Sequence, residues 1–373
     1  MTIAIDMVGT NLESGSKSYN INFCISLSKK KLEQKIYIFL TKDYWSLIPN
    51  NSNSQIIYKL KPNIYANFFI KILWMQFMLP IELKLLGIKT LFSAMNYTPV
   101  ILKFSKIRLI LATHTNLPWF SFSLMPGNFF KKILIKVLME LSIYSTDKLI
   151  VTSEFAKKEL QKLLELQKKI DVINLGIDQK YLYPKENNFF LKNIKYEDYF
   201  LSIISCARYH NIINILKAFK SLKKEYKKDL KYFLVTQVLD VNYYKEIKEY
   251  ISNNFKNNEI FLIHDIKSDY LINLYKNANF YIFSSYCEVF GLTSLEAMSQ
   301  GCPVLISNAS ALPEINGDAA NYFDPDNIDE IKYLMKKVII DQAFKKNLID
   351  KGRSHHRKFN WDKTVDQTYR LLR

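Results

Sequence analysis

The chain has 373 residues, 49% apolar and 23% charged, a globular composition long enough for two domains or one large one. Length and balance exclude a peptide hormone, a disulfide scaffold and a disordered chain. The formal charge is +17, and residues 51–150 hold 12 Lys+Arg against 3 Asp+Glu, a local +9 interleaved with aromatic residues. Such a patch suits an anionic membrane surface, a nucleic-acid backbone or an anionic lipid-linked substrate.

The first predicted strand covers 3–8, without the basic flank or long apolar stretch of a signal peptide. Behind it, Gly9-Thr-Asn-Leu-Glu-Ser-Gly15-Ser-Lys17-Ser18 opens a helix, so Gly15 is a candidate for close backbone approach to a ligand. The loop is neither GxGxxG nor a Walker A sequence, which argues against NAD and ATP chemistry. Further strands are predicted over 36–40, 91–93, 109–113, 149–152 and 171–173. The most hydrophobic window, 68–81, is interrupted by Lys71, Gln76 and Pro80. It falls short of the roughly 20 apolar residues of a spanning helix, so no segment is predicted to cross a membrane. Residues 181–188, polar and bearing Pro184, read as a linker. A second set of strands follows over 200–205, 232–236, 260–263, 280–284, 304–306 and 321–323, and 361–373 reads as a closing helix. Two sets of strands alternating with helical segments imply an α/β chain of two doubly wound, Rossmann-like domains, 1–182 and 188–357. Ligands in such sheets bind beyond the carboxyl ends of the strands. The four cysteines, Cys24, Cys206, Cys287 and Cys302, form no CxxC pair. Neither zinc nor a disulfide framework is indicated, and a reducing cytoplasm fits.

The most informative stretch is Ser285-Tyr-Cys-Glu288-Val-Phe290-Gly291-Leu292-Thr293-Ser-Leu-Glu296-Ala-Met-Ser-Gln-Gly301-Cys-Pro303. Gly291 permits a tight turn, and the helix it opens offers free N–H groups and a positive dipole end to a phosphate. A carboxylate beside a phosphate repels it, so Glu288 and Glu296 suit vicinal hydroxyls, as on a ribose. On spacing alone the plainer reading is preferred, a surface loop glutamate and a dipole-neutralising helix glutamate.

The run Glu288-x-Phe-Gly-Leu-x-x-Leu-Glu296-Ala-Met-x-x-Gly-x-Pro-Val resembles the E-x7-E signature of retaining glycosyltransferases of family 4. Ser310-Ala-Leu-Pro313-Glu314 with Gly317-Asp318, Leu271-x-x-Leu-Tyr275, Thr113-His114, Ala4-Ile-Asp6 and Val172-Ile-Asn-Leu-Gly176 are similar to other segments of that family, in the same order. The resemblance implies a GT-B fold, two Rossmann-like domains facing a central cleft, with the acceptor domain first and the helix 358–373 packing back on it. It also implies sugar transfer from a nucleotide diphosphate with retention. Glu296 would hold the ribose hydroxyls, Glu288 the donor sugar, and the backbone of Phe290, Gly291, Leu292 and Thr293 its hydroxyls and diphosphate. His114 matches a histidine near the transferred sugar and acceptor, and Arg208 supplies the fixed charge for the diphosphate.

Two departures stand out: His210 occupies the place of an expected lysine, and Val289 that of a glycine. A histidine of ordinary pKa, about 6.5, is largely neutral at pH 7 and stabilises a leaving diphosphate less. Asp324-Pro-Asp326 has a metal-binding form, but Pro325 and the helical pattern beyond Asn327 read as turn and cap. Adjacent His355 and His356 complete no ligand set, and no metal or other cofactor is expected. The sequence therefore predicts a metal-independent hexosyltransferase of cell-surface polysaccharide or lipopolysaccharide synthesis. Its donor would be a GDP- or UDP-hexose and its acceptor a glycan or polyprenyl-linked glycan. No nucleic-acid partner is expected; the setting would be cytoplasmic, with peripheral contact to the anionic inner face of the plasma membrane. The alternative is a weak or inactive homologue that binds nucleotide sugar or glycan.

Overall fold

The computed structural model describes residues 2–8, 15–45, 47–48, 53–183, 198–226, 229–264, 266 and 268–373. The loop 9–14 and, from 184 onward, the expected linker lie outside the described residues. Two compact units emerge: one contains Met1–Asn116, Ile133–Asp178 and Asn360–Arg373, the other Leu117–Lys132 and Gln179–Phe359.

The first unit is built on a seven-stranded parallel sheet in the order β3-β2-β1-β4-β5-β6-β7. Its strands are β1 (Thr2–Asp6), β2 (Lys35–Thr41), β3 (Ile56–Lys61), β4 (Thr90–Ser93), β5 (Arg108–Ala112), β6 (Lys148–Val151) and β7 (Ile170–Val172). Central strands are apolar on both faces because helices cover both, as Leu109-Ile-Leu-Ala112 shows. β3 has no counterpart among the predicted strands. It is an edge strand, mostly half-buried with Ile56 buried and Leu60 exposed, and its lysines Lys59 and Lys61 break the apolar run that marks a buried strand. Lys61 is fixed by Glu82, with Nζ 2.6 Å from both carboxylate oxygens, and the same amine lies over the rings of Phe39 and Trp74.

The closing helix, Trp361–Leu372, is capped by the Asn360 side chain and buries Trp361, Thr364, Val365, Thr368, Tyr369 and Leu372, a single face at helical spacing. That face meets the helix Gly15–Ser28: Ser26 donates to Asp362, and Lys30 pairs with Asp366 at 2.7 Å. Gly176 makes the approach possible, since a Cβ there would lie 2.2 Å from the Trp361 backbone nitrogen.

The second unit carries a six-stranded parallel sheet, β10-β9-β8-β11-β12-β13. Its strands are β8 (Tyr199–Ile203), β9 (Lys231–Val235), β10 (Ile260–Ile263), β11 (Tyr281–Phe283), β12 (Val304–Ser307) and β13 (Asn321–Phe323). Phe200 stacks between Tyr232 and Phe280, with ring centroids 4.4 and 5.0 Å away, which ties the three central strands together. In each sheet the order reverses beside the first strand, at β1/β4 and β8/β11. Those are the positions where doubly wound sheets open a ligand crevice at their carboxyl ends.

Candidate active site

β11 ends at the second switch point and runs into the loop carrying Glu288. Ser284 is fully buried and its Oγ donates to the carbonyls of His210 and Asn211, joining this loop to the turn after β8. The Glu288 backbone is clamped at both ends, its N–H donating to Ser310 Oγ at 2.8 Å and its carbonyl accepting from Ala311 N–H. Ser310 adopts a left-handed φ of 53°, which turns its hydroxyl toward the clamp.

The Glu288 side chain is half-buried, with 20% of its surface exposed. Burial pushes its carboxyl up to about 7, against the one stabilising hydrogen bond it accepts, from Ser285 Oγ at 3.2 Å. His210 Nδ1 lies 3.5 Å from Glu288 Oε1, too far for a good hydrogen bond, and has no other partner. Burial presses the imidazole down to about 3, so at neutral pH this is a contact between a neutral ring and a half-protonated acid rather than an ion pair.

Gly291 follows at φ +86°, and a Cβ there would fall 2.6 Å from Leu312 Cδ2, so both conformation and space demand glycine. It caps the helix Leu292–Ser299, whose first amides, Leu292 and Thr293, have no backbone partner. Buried Tyr281 reaches up from β11 and donates to Thr293 Oγ1 at 2.8 Å. One turn on, Glu296 is half-buried and accepts from the hydroxyl of fully buried Tyr275 at 3.2 Å. Glu288, Phe290, Gly291, Leu292, Thr293 and Glu296 thus form one structural unit, with His210 against it.

Arg208 belongs to the same turn after β8, but its guanidinium is engaged: Nη2 lies 2.8 Å from Glu246 Oε2, Nε 3.9 Å from Asp240, and the group sits over Tyr243. The Asp324-Pro-Asp326 segment is a turn, Asp326 N–H donating to Asp324 Oδ1, and Asn327 caps the helix Ile328–Ile340. Among the described residues no group of three or more His, Cys, Asp or Glu could hold a metal ion.

His114 lies in the first unit, just past β5. Its Nε2 donates to the Ala94 carbonyl at 2.8 Å, its backbone N–H to Asn96 Oδ1, and its ring meets the edge of Tyr19. Burial lowers it to about 4, so the ring is neutral and Nδ1 keeps its lone pair. It borders a cavity of about 10 Å³, enough for one water, with Thr113, Thr152, Thr364 and Thr368. Gly15 opens the helix Gly15–Ser28 in the same unit.

The sequence reading assigned no role to Tyr275, Tyr281, Ser310 or Glu246. The two tyrosines read as core residues of a helix and a strand, and nothing local marks the hydroxyl each aims at the site.

A profile of Glycosyltransferase Family 4 matches residues 15–181, and one of Glycosyl transferases group 1 matches 184–355. Together they account for nearly the whole chain, which belongs to glycosyltransferase family 4 and has the GT-B fold. The O-antigen chain mannosyltransferase B of Escherichia coli is 36% identical over 102 residues, 26% of this chain and 27% of that protein. The O-antigen chain mannosyltransferase RfbU of Salmonella typhimurium is 23% identical over 239 residues, 61% of this chain and 64% of its own. The chain therefore spans less than two thirds of these relatives. A solved sucrose-phosphate synthase from Thermosynechococcus elongatus matches all of this chain and 98% of its own with a TM-score of 0.77 at 16% identity, a likeness of fold.

Proposed function

We propose that this protein is a retaining glycosyltransferase that moves a hexose from a GDP- or UDP-sugar to a glycan or polyprenyl-linked glycan during cell-surface polysaccharide synthesis. One observation carries the reading: free helix amides at Leu292 and Thr293 flanked by two carboxyl groups held in place, Glu288 by Ser285, with Ser310 fixing its backbone N–H, and Glu296 by Tyr275. In this reading the amides take the diphosphate, Glu296 the ribose diol, and Glu288 a hydroxyl of the hexose. The relatives named as O-antigen mannosyltransferases favour mannose as the hexose. With its carboxyl near 7, Glu288 is protonated about half the time at neutral pH and is a poor nucleophile. That favours a route in which the departing phosphate oxygen takes the acceptor proton while the acceptor attacks the same face. No metal or other cofactor is assigned to this chemistry.

The weaker-enzyme reading draws on two features of the same turn, the neutral His210 and the Arg208 guanidinium already paired with Glu246. Thermal-shift screening with UDP, GDP and their sugars tests binding, and NMR-followed transfer tests chemistry. A nucleotide-dependent rise in Tm lost in Glu296→Ala, with retained anomeric configuration, is the expected result; inversion refutes the mechanism. A gain of rate in His210→Lys favours the weak-enzyme reading.

We also infer peripheral contact with an anionic membrane. The helical run 68–85 exposes Phe69, Leu73, Phe77, Ile81 and Leu85, each four residues after the last, among the exposed lysines Lys84, Lys103 and Lys106. Gln76 bonds Thr98 and Val100, which holds the turn Val100–Phe104 and its 89% exposed Phe104 beside this run. No helix among the described residues is long and apolar enough to cross a membrane. Flotation with phosphatidylglycerol vesicles at low salt is expected and should weaken at high salt; absence of binding at low salt ends the idea.

A further inference from the structure

The cavity beside His114 lies at the carboxyl ends of three neighbouring strands. Its lining includes Thr113 past β5, Thr152 past β6 and Leu175 past β7, together with Thr364 and Thr368 of the closing helix. Hydrogen bonds frame it. Thr113 N–H donates to the Ile150 carbonyl at 3.0 Å, while Asn174 donates from Nδ2 to the Thr152 carbonyl and accepts from Thr364 Oγ1 on its own carbonyl.

One polar atom in this frame has no partner in the chain. Thr113 is only 2% exposed, and its Oγ1 makes no hydrogen bond. A buried hydroxyl in that state is costly. The two helix threonines have the opposite need. Thr364 Oγ1 donates to the Asn174 carbonyl at 2.7 Å and Thr368 Oγ1 to the Thr364 carbonyl at 2.8 Å, so each has spent its one proton and keeps lone pairs to accept with. The space measures about 10 Å³, and no charged side chain lines it. That volume suits one water and nothing larger, and an ion would meet no opposite charge. A water accepts from one donor and donates to two acceptors, which is the set the three threonines offer.

We propose that this cavity is a binding site for a single water molecule, which accepts from Thr113 Oγ1, donates to Thr364 and Thr368 Oγ1, and so bonds the closing helix to the strand end that carries His114. The inference stands apart from the glycosyltransferase reading and survives its failure. His114 is itself tied toward β4, through Asn96 and Ala94. The water secures the preceding residue toward the closing helix.

The test turns on a sign. Thr113→Val keeps the side chain's shape and removes its hydroxyl. With the water in place the change breaks a hydrogen bond and should lower the Tm of the full chain by about 2–4 °C. Without it the change relieves a buried, unsatisfied group, so a raised or unaltered Tm overturns the proposal. Tryptophan fluorescence follows the right transition, because Trp45, Trp74 and Trp361, three of the four tryptophans, lie in the first unit. Thr368→Val should also lower Tm, and the double variant should lose clearly less than the sum of the two, since both act on the same water. Additive losses overturn the bridge. A high-resolution crystal structure of the wild-type chain tests the site without any variant: density for one water within hydrogen-bond distance of Thr113 Oγ1 supports it, and a dry cavity overturns it.

Discussion

The two sheets present different chemistry at equivalent places. At the second switch point the acids are held by neutral hydroxyls, Ser285 and Ser310 on Glu288 and Tyr275 on Glu296, beside free amides. At the first, the buried carboxyl of Asp6 accepts from Val8 N–H, and the neutral ring of His114 donates to the Ala94 carbonyl. Amides aimed outward suit a polyanion, because they stabilise negative charge without carrying a positive one that must itself be desolvated. One fold used twice has thus been specialised by the residues just past its strands, which is where sheet architecture leaves sequence free to vary.

The largest expected break falls on the second sheet. Glu296→Ala removes a carboxylate whose hydrogen bonds to a ribose diol would each contribute about 1.5–3 kcal/mol, so kcat/KM should fall roughly 100-fold or more. The same change should lower stability by only about 1 kcal/mol, the cost of leaving the buried Tyr275 hydroxyl without its acceptor. A loss of stability equal to the loss of activity would make Glu296 a structural residue instead. Next in size, Gly291→Ala meets both the left-handed backbone and Leu312, and should cost about 2–4 kcal/mol in urea unfolding. A cost below 1 kcal/mol would mean that this turn is less constrained than its geometry implies.

Why these glutamates were legible and Lys71 was not comes down to where each sits. Glu288, Gly291 and Glu296 occupy one contiguous strand–loop–helix segment, so spacing preserves their relation. Resemblance to a family then supplied the roles that spacing alone left to a plainer reading. Asp6 and Lys71 are 65 positions apart, one on β1 and the other on a short helix, and nothing in the sequence marks either as buried. In sequence, Lys71 is merely an interruption of an apolar window. The strands followed the same logic. Buried central runs such as Leu109–Ala112 declare themselves by apolarity, while β3 is mostly half-buried and carries two lysines, Lys61 paired with Glu82 and Lys59 over the Tyr37 ring. The engagement of Arg208 by Glu246 was equally hidden, since it joins the turn after β8 to a later helix.

At the second sheet the two buried titratable groups pull stability in opposite directions with pH. Glu288 is raised from 4.5 to about 7 in the fold, so the native chain binds its proton more tightly than the unfolded chain does. Its contribution is fully present below pH 4.5 and is lost as pH rises toward 7. His210, lowered from 6.5 to about 3, acts in the opposite sense: stability falls as pH drops from 6.5 toward 3. Between pH 4.5 and 6.5 the two slopes oppose each other. Glu288→Gln should isolate them, gaining stability relative to wild type by roughly 2–3 kcal/mol between pH 4.5 and 7 and no more above it. Parallel urea titrations at pH 5 and pH 8 read this directly, and a pH-independent difference would mean that Glu288 is not buried as described.

The smallest effect is the most selective. Tyr275 is fully buried, and its hydroxyl donates to Glu296 Oε2. Tyr275→Phe keeps the ring that packs against Tyr181 and Tyr281 and removes only that donor. A single hydrogen bond to a half-buried carboxylate contributes about 1 kcal/mol or a little more, so nucleotide affinity should weaken roughly fivefold. Because the hydroxyl orients Glu296 and is not itself placed on the ligand, the loss should appear for the bare nucleoside diphosphate as fully as for the nucleotide sugar. Acceptor KM should not move. A change confined to the sugar-bearing ligand would shift Glu296 from the ribose to the hexose, and the division of labour between the two carboxylates would have to be redrawn.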